Sequence, residues 1–269
     1  MRLRSILAST VFALTALGST AAFAGATVDG VNLPNTAYFD ATQSWETLVN
    51  PAVGANTLSG VFQVGLISNS QGGAVTYTYG QGGAFLTGAF QGFTFDPVTS
   101  NPGAGTLFFT GGSIKYVVNT SNIFTVSSGT ATDITTDSTG PKTFLTGTPQ
   151  TINASGDTLE IVLVGGDFTN FTASTAIAYV DLTGGDAFPF LDTDAIINPF
   201  GNQLADLFFQ GSANRSGTGG AACGNDFGVC GSNSAKGNIV QMPEPVTLSV
   251  FGAGLVGAAA LRRRKAKKA

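Results

Sequence analysis

The stretch "DTLEIVLV" (Asp157–Val164) decides the fold class of this chain. Apolar side chains occupy every second position in it, at Leu159, Ile161 and Leu163. Side chains two residues apart lie on the same face of a β-strand, so these three would face one way, as in a half-buried strand. Clusters of Gly and Asn bound the stretch, and such clusters are typical of turns. The pattern therefore predicts a β-strand.

Four further stretches are rich in β-branched and aromatic residues and are bounded by turn formers. They are "LSGVFQVGLIS" (Leu58–Ser68), "AVTYTY" (Ala74–Tyr79), "SIKYVV" (Ser113–Val118) and "TAIAYVDL" (Thr175–Leu182). Between residues 25 and 241 no stretch sustains a helical period with caps, although a short helix is expected near Phe200–Asp206. Short strands joined by turns predict an all-β single domain of the β-sandwich or jelly-roll type.

A local repeat starts at Gln71, Gln81 and Gln91, with a period of ten residues. One interpretation is a β-solenoid, in which identical short repeats stack. The other is a succession of strands with Gly-rich turns, since a strand and its turn together take about ten residues. The period ends by Pro97, which favours successive strands.

The composition bounds the chemistry. The chain has 269 residues and no histidine, which excludes Ser-His-Asp and Cys-His catalysis and any His-ligated zinc or haem. Hydrophobic residues make up 43% of the chain and include 21 Phe, enough apolar surface for a core.

The first 24 residues have the pattern of a secretion signal. A basic start precedes the apolar stretch "ILASTVFALTAL" (Ile6–Leu17), which predicts an N-terminal signal helix. Small residues follow, and Ala22 and Ala24 fit the A-x-A cleavage pattern. Cleavage there would leave Gly25 as the first residue of the exported protein.

Charge is distributed unevenly between the body and the C-terminal tail. Residues 25–242 contain four basic and fifteen acidic side chains, a net charge of −11. Such an acidic body does not favour nucleic acid as a partner, because the phosphate backbone would repel it. Six of the chain's twelve basic residues instead lie in the last eight positions.

Residues 242–269 combine three features in order. Pro243, Glu244 and Pro245 come first, and the apolar run Val246–Leu261 follows. The run would span about 24 Å as a helix, short for a bilayer core of about 30 Å but within reach of one that is locally thinned. Cations then hold the tail on the cytoplasmic side, as in a stop-transfer element; they begin with Arg262, Arg263, Arg264 and Lys265.

This combination resembles the PEP-CTERM sorting signal of Gram-negative bacteria, the region that is also labelled the ice-binding protein C-terminal domain. The resemblance covers about a tenth of the chain. It implies a transient inner-membrane intermediate that an exosortase recognises and cleaves near the proline pair. It also implies a destination at the cell surface or in an extracellular matrix. The expected function is therefore structural or adhesive, in exopolysaccharide, biofilm or floc, with exosortase and matrix polymer as partners.

Cys223 and Cys230 are the only cysteines, and they lie seven positions apart in a chain that is expected to be exported. In an oxidising compartment this spacing predicts a local disulfide. Two thiols without histidine make a poor metal site, so zinc is the weaker interpretation.

The acidic residues allow two interpretations. Asp186, Asp192 and Asp194 lie close together in sequence, and calcium prefers carboxylate oxygens in flexible loops. No EF-hand spacing is present, so solvated turn aspartates are the simpler interpretation and no cofactor other than calcium is considered.

An exported carbohydrate-active enzyme is the alternative function. A glycoside hydrolase needs two carboxylates about 5–10 Å apart. Glu46 and Glu160 are the only glutamates in the body, and neither lies in a recognisable motif. Trp45 and the tyrosines could instead stack on sugar rings, as in a carbohydrate-binding module. The protein is accordingly not expected to be an enzyme.

Overall fold

The computed structural model describes residues 25–46, 56–122, 140–165, 171–215 and 229–238. These residues belong to one compact unit, Gly25–Val240. None of the helices in the described ranges is long and apolar enough to cross a membrane. The predicted signal helix and the predicted C-terminal helix lie outside these ranges.

The described residues are mostly in β-strands. The first seven are β1 (Ala26–Val28), β2 (Val31–Leu33), β3 (Thr36–Glu46), β4 (Thr57–Ser68), β5 (Val75–Thr78), β6 (Phe85–Asn101) and β7 (Thr106–Asn119). The next seven are β8 (Lys142–Pro149), β9 (Asp157–Val164), β10 (Ala173–Gly184), β11 (Ile196–Asn198), β12 (Gln203–Ala205), β13 (Leu207–Arg215) and β14 (Val229–Asn238). One short helix, α1 (Phe188–Leu191), follows β10.

The long strands pair into one sheet that closes on itself. Each is antiparallel to the next, in the order β3, β4, β6, β7, then β8 and β9 together, β10, β13 and β14. β14 pairs back with β3, where Ala235 lies opposite Phe39. Because β3 and β14 pair, neither is left as a free edge that could join another chain.

β8 and β9 share one position in the closed sheet. β7 pairs with β8 through Ile114–Val118 and with β9 through Thr106–Thr110. β10 likewise pairs with both. The two short strands thus lie end to end, and the loop 150–156 interrupts what would otherwise be a single strand.

The interior of the closed sheet is filled by side chains. Phe62 on β4 and Phe209 on β13 are separated by two strands, yet their ring centroids lie 6.1 Å apart across the interior. Phe39 on β3 and Tyr116 on β7 meet in the same way at 5.7 Å. A closed sheet with eight strand positions leaves room for side chains and little else. The buried aromatic residues of the described chain therefore belong to one core.

The prediction of an all-β body is confirmed. The predicted strand at Asp157–Val164 is β9, and its inward side chains are those of Leu159, Ile161 and Leu163, as the alternation indicated. Hydrogen bonding joins the long strands into one large sheet, not into the two separate sheets of a β-sandwich or jelly roll. The sheet closes because β10 pairs with β13 and β14 pairs with β3.

Two local expectations have clear outcomes. The predicted helix near Phe200–Asp206 is wrong: β12 lies there and pairs with β11 in a hairpin. Its turn contains Gly201 and Asn202 with φ of 70° and 53°, a left-handed conformation that suits a hairpin and not a helix. The ten-residue repeat contributes β5 and β6 with a turn between them, so successive strands is the correct interpretation.

Candidate functional site

One band on the outer face of the closed sheet carries aromatic side chains. Strand register aligns four residues across β10, β13, β14 and β3. Tyr179 lies opposite Phe208, Phe208 lies opposite Lys236, and Lys236 lies opposite Tyr38. We call these four residues the aromatic row.

The inward neighbours show that the row faces outward. Ala178, Phe209, Ala235 and Phe39 each adjoin one member of the row and are at most 6% exposed. Successive side chains of a strand point to opposite faces, so the row members point away from the core. The three aromatic side chains of the row are half-buried, and Lys236 is exposed.

Tyr179 and Phe208 form a ring pair. Their centroids lie 5.2 Å apart with an angle of 48° between the ring planes. A cross-strand aromatic pair of this kind stabilises a sheet by up to about 1 kcal/mol. That structural contribution leaves part of each ring exposed to solvent, where a ligand can stack.

The row has the dimensions of an extended ligand. Neighbouring strands lie about 4.8 Å apart, so the three spacings from Tyr179 to Tyr38 span about 14 Å. This distance exceeds a single sugar ring and fits a short run of a linear polysaccharide. Because the strands belong to one closed sheet, the rings are held in fixed relative positions before any ligand binds.

A second row runs parallel to the first, two residues further along each strand. It contains Ile177, Gln210, Ser234 and Asp40 in register. Gln210 is exposed, and the Ser234 hydroxyl donates a hydrogen bond of 3.4 Å to the Gln210 carbonyl. Amide, hydroxyl and carboxylate groups here can bind the hydroxyls of a sugar whose ring lies on the aromatic row.

The hairpin β11–β12 lies beside the Tyr179 end of the row. The Gln150 side-chain amide donates to Asp181 Oδ1 and to the Leu204 carbonyl, both at 2.6 Å. The Gln150 backbone N–H donates to the Tyr179 carbonyl at 2.7 Å. Ile197 and Leu204 are cross-strand partners and are 63% and 50% exposed. Gln150 therefore connects the aromatic row to an exposed apolar hairpin.

Asp206 organises the loop between β10 and β11. It is only 2% exposed, and its carboxylate accepts three backbone N–H groups. Oδ2 accepts from Leu182 at 2.8 Å, and Oδ1 accepts from Thr193 and Asp194 at 2.7 and 2.9 Å. These bonds compensate the burial of its charge. Asp206 thus has a structural role in this loop.

The calcium candidates lie in two places. Asp186 lies close to Asp29, which pairs with Lys142 at 2.5 Å. Hydrogen bonding to Asp29, which only a protonated carboxyl group could provide, raises the pKa of Asp186; burial adds to the rise, and the charge of Lys142 lowers the pKa. Asp192 and Asp194 lie instead in the loop that Asp206 holds. In the described part of the chain, no three carboxylate or thiol side chains are grouped closely enough to hold a metal ion.

Two further carboxyl groups near Asp206 have raised pKa values: Asp192 in the loop between β10 and β11, and Asp181 on β10. Burial raises the pKa of Asp192, and the charges of Asp206 and Asp194 add to the effect. Burial also raises the pKa of Asp181. The hydrogen bond from Gln150 lowers this pKa, and the charges of the neighbouring aspartates raise it. The loop is therefore a concentration of negative charge next to the Tyr179 end of the row.

The two glutamates are not grouped by the strand order. Glu160 lies on β9, opposite Phe108 and Ile177. Glu46 is the last residue of β3, a strand that does not pair with β9. The side chains of Glu46 and Trp45 lie outside what the structure describes.

The remaining predicted site residues also fall outside the described side chains. They comprise Ala22 and Ala24 of the signal cleavage site, the sorting motif, the basic tail and Cys223, whereas Gly25 is the first described residue and is exposed. Cys230 lies on β14 with its backbone opposite Trp45, but its predicted partner is beyond the described ranges. These predictions stand as made.

The sequence contains one local signal for the aromatic row. Tyr38–Phe39 and Phe208–Phe209 are adjacent aromatic doublets. In a strand with one face buried, a doublet must direct one ring outward. Register between distant strands, which aligns the outward rings, cannot be derived from either doublet alone.

No protein-family model, curated protein or solved structure matches this chain.

Proposed function

We propose that this chain is an exported protein of the cell surface or extracellular matrix, and that its β body binds matrix polysaccharide through the aromatic row. The observation that carries the proposal is the register alignment of Tyr38, Lys236, Phe208 and Tyr179 on one outward face. The role is structural or adhesive: the protein binds polymer and does not transform it.

The physical basis is stacking on preorganised rings. Sugars have apolar faces bounded by hydroxyl groups, and aromatic side chains offer a matching apolar face of low conformational entropy. Gln210 and Asp40 lie one row away and can bind hydroxyls at the ring edge. A rigid sheet loses little entropy when the polymer binds.

Export and sorting belong to the same proposal. The signal pattern of residues 1–24 directs the chain to the Sec pathway. The Pro-Glu-Pro motif, the apolar run and the basic tail hold an inner-membrane intermediate that an exosortase cleaves. Cleavage releases the body to the surface or matrix, where a polymer-binding face has its ligand.

The finer description of the fold is also proposed. The ring contact between Phe62 and Phe209 brings opposite walls of the closed sheet together. We infer that the closed sheet is flattened, so that its two halves pack face to face much as the layers of a β-sandwich do.

Co-sedimentation of the full chain with insoluble cellulose tests the binding proposal. The double variant Tyr179→Ser, Phe208→Ser should bind about thirtyfold more weakly, because each of the two lost rings contributes roughly 1 kcal/mol. Phe108→Ser is the matched control, since Phe108 is also a half-buried aromatic residue on a strand but lies on β7, outside the row. Equal binding by all three proteins, or no binding by the wild type to cellulose or to the producing cells' own polymer, would contradict the proposal.

A further inference from the structure

We propose that the polysaccharide is acidic, and that Lys236 binds the carboxylate of a uronate whose neutral neighbours stack on the rings of the row. The inference rests on the proposed function and names the class of polymer. It derives from the position of a single cation in an otherwise acidic body.

Lys236 is free to bind a ligand. Its side chain is exposed, and it forms no ion pair with any residue that the structure describes. Lys142, by contrast, pairs with Asp29. Residues 25–242 contain only four basic side chains, and this one lies inside the row, directly between Phe208 and Tyr38.

The position of Lys236 between rings sets the pattern of the ligand. Tyr38 is one strand spacing away on one side, and Phe208 is one spacing away on the other. A ligand that stacks on both would place its central sugar over the ammonium group. A carboxylate on that sugar would form a charge-assisted hydrogen bond, which is stronger than the bond a hydroxyl makes.

Two aspartates near the row argue against a dense polyanion. Asp40 lies in the parallel row on β3, and Asp181 lies two residues after Tyr179 on β10. At physiological salt, repulsion between exposed charges is screened over about 8 Å. An isolated uronate can therefore reach Lys236, whereas consecutive uronates would also meet these two aspartates. The structure selects a polymer in which neutral sugars separate the acidic ones.

Gellan is a suitable probe, because neutral sugars separate its glucuronates, and carboxyl-reduced gellan has the same backbone without the charge. The full chain is compared with Lys236→Gln and with the control Lys115→Gln on β7. All proteins carry the same basic tail, and a second set has Arg262–Lys265 replaced by Gln to remove its contribution. Affinity for each polymer is measured by titration calorimetry at low and high salt.

We expect the wild type and Lys115→Gln to bind gellan about tenfold more tightly than its reduced form, the value typical of a hydrogen bond to a charged group. Lys236→Gln should bind both polymers equally, at the wild-type affinity for the reduced one. High salt should remove the preference of the wild type.

Four results would overturn the inference. If Lys236→Gln still bound gellan more tightly than reduced gellan, the carboxylate would bind a group other than Lys236. If Lys236→Gln lost the same amount of affinity for gellan and for reduced gellan, Lys236 would contribute to the shape of the binding surface and not to recognition of the carboxylate. Equal wild-type binding of both polymers would reject the acidic ligand but leave the proposed function standing. Binding of neither polymer would reject the acidic ligand, and would reject the proposed function as well if cellulose and the producing cells' own polymer are not bound either.

Discussion

The rings of Phe62 and Tyr116 meet edge to face over Gly88, with centroids 5.2 Å apart and an interplanar angle of 77°. Gly88 is the register partner of both residues, which lie on the strands at either side of β6. A side chain at Gly88 would occupy the space that the two rings share. The contact joins β4, β6 and β7 at the centre of the core.

Gly88→Ala should therefore destabilise the fold. A Cβ at this position would lie 2.1 Å from the Phe62 ring, so ring and backbone must shift. Overpacking of this kind costs about 1–3 kcal/mol. The measurement is the free energy of unfolding in urea. Gly103→Ala is the control, because its Cβ would meet nothing closer than 3.8 Å, and it should change the free energy by much less.

Asp206→Asn should destabilise the loop between β10 and β11. Three backbone N–H groups donate to this buried carboxylate, and a neutral amide accepts through one oxygen only. Each donor left unsatisfied costs about 1–3 kcal/mol. Asp192→Asn, at an exposed position in the same loop, is the control. Similar melting temperatures for the two variants would show that the Asp206 hydrogen bonds contribute little.

Acidification from pH 7 towards pH 4 should raise the melting temperature. Folding raises the pKa of Asp181, Asp186 and Asp192 above the ordinary value of 3.8. A carboxyl group with a raised pKa stabilises the fold fully below 3.8 and loses that contribution as pH rises through its folded-state value. The measurement is thermal unfolding followed by circular dichroism between pH 4 and pH 7.

The variant Asp186→Asn, Asp192→Asn is the test of cause. It removes two of the three groups, so its melting temperature should depend less on pH over the same range. A wild-type melting temperature that falls on acidification would contradict the assignment of these shifts.

The exported protein should lack the residues after Pro245. Proline at positions 243 and 245 disfavours a helix around Glu244, so we expect peptide bonds there that a peptidase can reach. Intact-mass analysis of protein shed from cells should show loss of Val246–Ala269. Replacing Arg262–Lys265 with neutral residues should weaken membrane retention and release unprocessed chain. Shed protein that still carries "RRRKAKKA" would instead make the tail a permanent part of the molecule.

The fold class could be predicted from local patterns. The alternation of apolar and polar side chains in Asp157–Val164 and in the other strands involves residues only two positions apart, so it can be recognised in the local sequence. Closure of the sheet could not be predicted, because it depends on pairing of β3 with β14 across almost the whole body. The hairpin at β11–β12 was missed since Leu204 and Ala205 are acceptable helix residues and only the left-handed Asn202 reveals the turn.

The candidate site was predictable only in part. The sequence makes Trp45 and the tyrosines candidates for stacking on sugar rings. Nothing local in the sequence distinguishes Tyr38 and Tyr179 from the other tyrosines. These residues are 141 positions apart, and two intervening strands bring them onto one face. Nothing in the sequence distinguishes Lys236 from the other basic residues of the body. Only the strand register shows that it lies between Phe208 and Tyr38.

The central claim is that polysaccharide binds on the aromatic row, and fluorine NMR of the full chain labelled with 3-fluorotyrosine tests it most directly. The chain has five tyrosines, at positions 38, 77, 79, 116 and 179, and single Tyr→Phe variants assign their signals. Tyr77 and Tyr116 are buried, and Tyr79 lies outside the row, where its hydroxyl bonds to Asn122. Titration with gellan should shift the signals of Tyr38 and Tyr179 and leave the other three unchanged. Saturable binding that leaves Tyr38 and Tyr179 unshifted would contradict the account.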